Sequence, residues 1–127
     1  MEVELILMRQ LASYLTLPIF LVDAGGKLLF YNEAAEPHLG RRFEEAGEMQ
    51  LGDLSKIFEI TREDGSPFPD DEFPLAVALH KRRPTHDMIR FRALDGLLHN
   101  VDVTAFPLEG QGGRHLGAVA IFWEKPA

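Results

Sequence analysis

Apolar residues recur at three- and four-residue spacing through Leu7, Met8, Leu11, Tyr14 and Leu15, which predicts a helix over residues 2–16. Leu5 and Ile6 widen its apolar stripe, and Pro18 ends it, because the residue before a proline avoids helical backbone. A short β-rich run from Ile19 to Asp23 then meets the turn Ala24-Gly25-Gly26, and Lys27 to Tyr31 runs back as a hairpin. Asn32 is placed to cap a short helix, with Glu33 and Glu36 near its positive end. Pro37 limits that helix to about two turns, and Gly40 closes it. Residues 41–52 are polar and show no clear period. Beyond them, Asp53 or Ser55 is placed to cap a short helix through Lys56, Ile57 and Phe58, and Glu63 to Pro67 is a turn cluster. Asp70 or Asp71 caps a longer helix with Pro74 in its first turn. Leu75 and Leu79 share one face of it, Lys81-Arg82-Arg83 sit at its negative end, and Pro84 stops it.

Two alternating strands follow. Ile89, Phe91 and Ala93 interleave with Arg90 and Arg92, and His99, Val101, Val103 and Ala105 interleave with Asn100, Asp102 and Thr104. Each strand has one apolar and one wet face. A two-residue Asp95-Gly96 loop would set Phe91 beside Asn100, whereas a three-residue loop, Leu94-Asp95-Gly96, pairs 91 with 99 and 89 with 101. The longer loop keeps the apolar faces together and is the expected one. After the glycine-rich loop Glu109 to Arg114, the run Leu116 to Glu124 is apolar on both faces, like 19–22. These two strands are expected to be central, with the alternating ones nearer an edge. The element order predicts an α+β domain on an antiparallel sheet, with the middle helices on one face. The other face needs the N-terminal helix, a second subunit, or both.

Composition narrows the functions. A chain of 127 residues with 46% apolar and 26% charged positions suggests one globular domain. A net charge of −7 argues against nucleic acid and anionic membranes as partners. The apolar run Leu17 to Val22 is too short to span a bilayer. Zero cysteines exclude disulfides, thiolate nucleophiles and Cys-ligated metals in this chain, and favour a cytoplasmic location.

The hairpin Pro18 to Lys27, the segment Asn32 to Glu36 followed by Leu39-Gly40, Asp64-Gly65-Ser66-Pro67 running into Phe73-Pro74-Leu75-Ala76, and Asp95-Gly96 before Val101 to Phe106 and Gly117 to Phe122 together resemble a PAS domain. The resemblance covers about residues 17–124, leaving 1–16 as a separate amphipathic helix and 17–127 as the PAS-like unit. It implies a five-stranded antiparallel sheet with helices on one face. It also implies a sensory or docking role beside a kinase or a transcription regulator, as in bacterial two-component signalling. The chain is then either a stand-alone sensor acting by association or an excerpt of a larger one. Pro37 departs from the usual leucine-rich helix.

Candidate chemistry is sparse. A pocket between sheet and helices would be walled by Leu39, Ile57, Phe58, Leu75, Leu79, Ile89, Phe91, Val101, Val103, Ala118 and Ala120, with His99 able to hydrogen-bond a ligand. The same residues also read as plain core. His80, near the end of the long helix, lies about where haem-binding PAS domains carry their axial histidine, so a haem site with Lys81 to Arg83 meeting its carboxylates is one reading. A surface histidine favoured by the helix dipole is the other. The photosensing relatives that form a cysteine adduct with flavin or a thioester-linked chromophore are excluded, while noncovalent flavin stays open. His86 and Asp87 point to opposite strand faces and make a poor metal pair, and His38 and His115 sit in loop-like contexts; no metal site is expected. No catalytic residue stands out. An isomerase-like enzyme would use Asp87 or Asp102 as its base, and Asp102 reads outward. The expected function is a sensor that binds a small apolar or amphipathic molecule and signals by homodimerising through the N-terminal helix and outer sheet face, or by docking a partner. The alternative is a ligand-free dimerisation domain.

Overall fold

Helix α1 spans Val3–Tyr14 and leads into the hairpin of β1, Ile19–Asp23, and β2, Leu28–Tyr31. The computed structural model describes residues 3–40, 49–69 and 72–124. Asp23 shapes the hairpin turn, its Oδ1 accepting from the amides of Gly25 and Lys27 at 3.0 and 2.9 Å. A 3-10 turn at Glu33–Ala35 runs into α2, Glu36–Leu39, which Gly40 ends in a left-handed conformation. Next come α3, Leu51–Ile57; β3, Thr61–Arg62; and α4, Pro74–Lys81. The sheet is completed by β4, Thr85–Arg92; β5, Leu98–Glu109; and β6, His115–Glu124.

All pairings are antiparallel, in the order β2-β1-β6-β5-β4-β3. The sheet has six strands rather than five because two-residue β3 pairs with the edge of β4. Phe91 lies opposite His99 and Ile89 opposite Val101, the register of the three-residue loop, with Gly96 at φ 90°. β1 and β6 are interior as expected, but β5 is central too, between β6 and β4. Its wet half, Asn100 and Asp102, faces solvent, whereas Phe106 and Leu108 further along pack against the outer apolar cluster. The reach of the covering helix, not strand order, sets which outward residues are dry.

Two apolar layers sandwich the sheet. The inner cluster joins α2, α3 and α4 to the faces carrying Phe20, Val22, Phe91, Val101, Ala118 and Phe122. The outer cluster joins Leu5 and Ala12 of α1 to Ile19, Leu21, Leu116 and Val119. Helix α1 therefore docks through Leu5 and Ala12 with Met8 beside them, and the stripe Leu7, Leu11, Tyr14 and Leu15 is exposed. Alanine at position 12 lets the helix approach the sheet closely, which turns the larger residues outward.

Two expected caps are also corrected. α3 begins at Leu51, so Asp53 and Ser55 lie within it, and Asp70 and Asp71 lie outside the described residues. Asn32 makes no capping hydrogen bond. Its side chain is buried and reaches back instead: Oδ1 accepts from the Ile19 amide at 3.0 Å, and Nδ2 donates to the carbonyls of Ala12 and Leu17 at 2.9 and 2.8 Å. The end of α1 leaves carbonyls without helical partners, and this carboxamide satisfies two of the carbonyls there.

Removing it orphans buried groups. Asn32→Leu is expected to cost about 2–4 kcal/mol in urea unfolding. Asn32→Asp, which turns two donors into an acceptor, should be destabilised at neutral pH and recover partly once its carboxyl is protonated. Gly117, at φ 151°, would place a Cβ 2.0 Å from the Val22 carbonyl oxygen. Gly117→Ala should destabilise by more than about 3 kcal/mol or prevent folding, read by the same measurement.

Candidate functional site

Between the sheet and helices lies a cavity of about 60 Å³. Its sheet wall is Phe20, Ile89, Phe91, Val101, Val103, Ala120 and Phe122, and its helical wall is Leu39, Leu54, Phe58, Ile60, Phe73, Pro74 and Leu75. The wall exposes only apolar atoms and holds no titratable side chain. The small Ala120 in this wall leaves space that aromatic rings largely fill. Phe20 meets Phe122 edge-on at 5.6 Å, Phe91 meets Phe122 at 6.1 Å, and Phe58 meets Phe91 at 6.4 Å.

Eight of the expected wall residues line this cavity: Leu39, Phe58, Leu75, Ile89, Phe91, Val101, Val103 and Ala120. Four do not. Ile57 is exposed, because α3 starting at Leu51 buries positions 51, 54 and 58 and rotates 57 outward. Leu79 is buried against Gly26, and Ala118 lies opposite Val22, both in the inner core but away from the cavity. His99 stands behind Phe91, rings stacked at 5.1 Å. Phe20 and Phe122 went unnamed although they share alternating faces with Val22 and Ala120, so strand parity could have found them. Leu54 and Ile60 lie in or beside the stretch whose period is weak.

His80 is exposed on the last turn of α4, where positions 74–79 face inward and 80 turns out. Arg82, left-handed at the helix end, bonds the Gly113 carbonyl at 2.9 Å and Glu109 at 3.3 Å rather than facing the cavity. The residues present do not fit a haem at His80. Nor does the cavity suit a flavin: ligand pockets run to roughly 300–1,000 Å³ and carry a few polar groups, and this one is far smaller and wholly apolar. Asp87 accepts from the Met88 amide, and Asp102 faces outward 3.6 Å from His86. Neither acid reaches the cavity, so the isomerase reading loses its base.

At the end of the sheet the fold assembles a polar cluster that sequence reading did not find. His38 of α2 and His99 of β5 both direct Nδ1 at Oε1 of Glu124, at 3.2 and 2.5 Å. Burial raises the Glu124 carboxyl, but hydrogen bonds from His99 and His38, and the attraction of these rings when protonated, outweigh it and hold it below the ordinary carboxylate value. His38, in a helix rather than a loop, meets Phe122 edge-on at 5.8 Å. It is 86 positions from Glu124, a separation no local pattern reveals.

No family model matches the sequence, and no curated protein matches it. Solved structures do. The PAS domain of a Colwellia psychrerythraea protein superimposes with a TM-score of 0.68 at 18% identity, over 95% of this chain and 96% of that one. The PAS domain of nitrogen regulation protein NR(II) from Vibrio parahaemolyticus gives 0.66 at 18% identity, over 94% and 98%. The chain has the PAS fold. A LOV protein from Rhodobacter sphaeroides shares it, with a TM-score of 0.76 at 12% identity over 98% of this chain and 69% of that one. Among the described residues of this PAS fold, no helix is long and apolar enough to cross a membrane.

A dry apolar void is a defect that two methyl groups can fill. Ala120→Val is expected to raise unfolding stability by about 1 kcal/mol. A loss of stability in thermal or urea unfolding would show that the wall is already tight there.

Proposed function

We propose that the chain is a signal-transduction sensor module that pairs through α1 and takes a small apolar molecule in the inner cavity. The observation that carries this reading is the exposed stripe of α1. Leu7, Leu11 and Tyr14 are 56%, 53% and 85% exposed, while the opposite side of the same helix is seated on the sheet. Together with Val3 and Ile6 they make a contiguous apolar surface, which soluble domains seldom leave open to water. A second copy of the chain, related by a two-fold axis, would cover it with the same surface.

Strand β6 supports a link between cavity and stripe. Ala120 and Phe122 face the cavity, and Val119 faces the cluster under α1. A ligand that binds two arrangements of this strand unequally would shift the α1 contact. Solved PAS-fold structures of a nitrogen regulation protein and a two-component sensor histidine kinase support a signalling partner such as a kinase, and the lack of cysteine favours the cytoplasm. The apolar wall, with no acid or base in it, supports binding rather than catalysis. The small volume favours a second reading, a ligand-free dimerisation domain whose cavity stays closed.

Sedimentation tests the pairing. The chain should run as a dimer, and Leu7→Glu with Leu11→Glu should be a folded monomer by circular dichroism; a wild-type monomer at tens of micromolar would refute it. Native mass spectrometry separates the two readings: extra mass lost on denaturation supports a ligand, and a bare dimer supports the second.

A further inference from the structure

We propose that His38, His99 and Glu124 form a binding site for a divalent transition-metal ion of the zinc or cobalt type, independent of the sensor reading. Three elements, α2, β5 and β6, bring one ligand atom each to within 4.8 Å of the others. Two imidazole nitrogens and a carboxylate suit Zn²⁺ and Co²⁺, and three protein ligands leave a position for water or a small anion.

The three ligand atoms lie within 4.8 Å of one another and must settle to the spacing of a bound ion. An ion bonded at about 2.0–2.2 Å holds tetrahedral ligand atoms about 3.3–3.6 Å apart. His38 Nδ1 and Glu124 Oε1 are already 3.2 Å apart. The His99–Glu124 pair, at 2.5 Å, must open by about 1 Å. Glu124 is the last residue of β6 and its side chain is 44% exposed, so it is free to make that movement. The ion would replace the protons now shared between each Nδ1 and the carboxylate.

The imidazoles are already oriented. His99 is stacked on Phe91 with only 15° between the rings, and His38 is braced edge-on by Phe122. Fixed ring orientation lowers the ordering cost of binding. One feature limits affinity. His99 Nε2 is buried without a hydrogen-bond partner, and it must carry the proton once Nδ1 binds metal. Binding is therefore expected in the micromolar range rather than tighter. Phe91 and Phe122 also wall the cavity, so the ion would brace its end and tie α2 to the sheet.

The test uses tag-free, chelator-treated protein titrated with Zn²⁺ alone and with Co²⁺ alone. One ion should bind per chain, Co²⁺ should give visible absorption bands, and Zn²⁺ should abolish them. His38→Asn and Glu124→Gln should each weaken binding at least ten-fold, while His80→Asn on the exposed end of α4 should not. Saturating Zn²⁺ should raise the melting temperature of the wild type and not that of Glu124→Gln, a readout that holds even if a variant is less stable. Failure to saturate would overturn the site and leave a hydrogen-bonded cluster only. Undiminished binding by His38→Asn and Glu124→Gln would overturn it too, placing the ion on histidines elsewhere.

Discussion

The structure hangs on one buried carboxamide. Asn32 stands where the chain leaves the hairpin, and its amide donates to the Ile19 carbonyl while Ile19 donates back to Oδ1. Its Nδ2 then collects carbonyls from the end of α1 and the segment after it. Only a side chain with an acceptor and two donors on one rigid plane can do both. The bond set fixes where α1 lies over the sheet, and so which of its faces is dry. Leu5 and Ala12 are buried because the helix is held there, and Leu7 and Leu11 are left outside for the same reason.

β6 carries the consequence through the sheet. It is buried on both faces for most of its length, pairing with β1 on one side and β5 on the other. Gly117 lets it approach β1 so closely that a Cβ has no room. Alanines at 118 and 120 thin the strand on its inner face, and the space passes to Phe20, Phe91 and Phe122. The aromatic cluster and the cavity beside it are thus two results of one choice of small residues.

What could be read from the chain follows the range of the interactions. The loop at 94–96, the register of β4 against β5 and the two-faced character of β6 are local or period-two properties, and the sequence states them directly. The side of α1 that docks is not marked by its apolar stripe, because Ala12 carries little apolar weight beside Leu11 and Tyr14, yet its smallness is what permits contact. Asn32 looks like a cap by position, and only tertiary structure reveals carbonyls within reach. At the candidate site, alternation placed Ile89, Phe91, Val101 and Val103 on the inner face, while Leu54 and Ile60 depended on where α3 begins. The His38 and Glu124 pair had no signal short of the fold itself.

The chemistry of the cavity constrains what could enter it. Water needs two to four polar partners to enter a buried site, and this wall offers none. A void lined by phenyl rings and branched aliphatics forfeits dispersion contacts that any small apolar molecule would restore. A polar cofactor would lose its hydration there with nothing in return. Selectivity would therefore rest on size and shape, and a larger ligand would have to displace rings rather than fill space. Phe91 and Phe122 are the rings that also touch His99 and His38. The polar cluster at the end of the sheet and the apolar cavity within it thus share two aromatic rings.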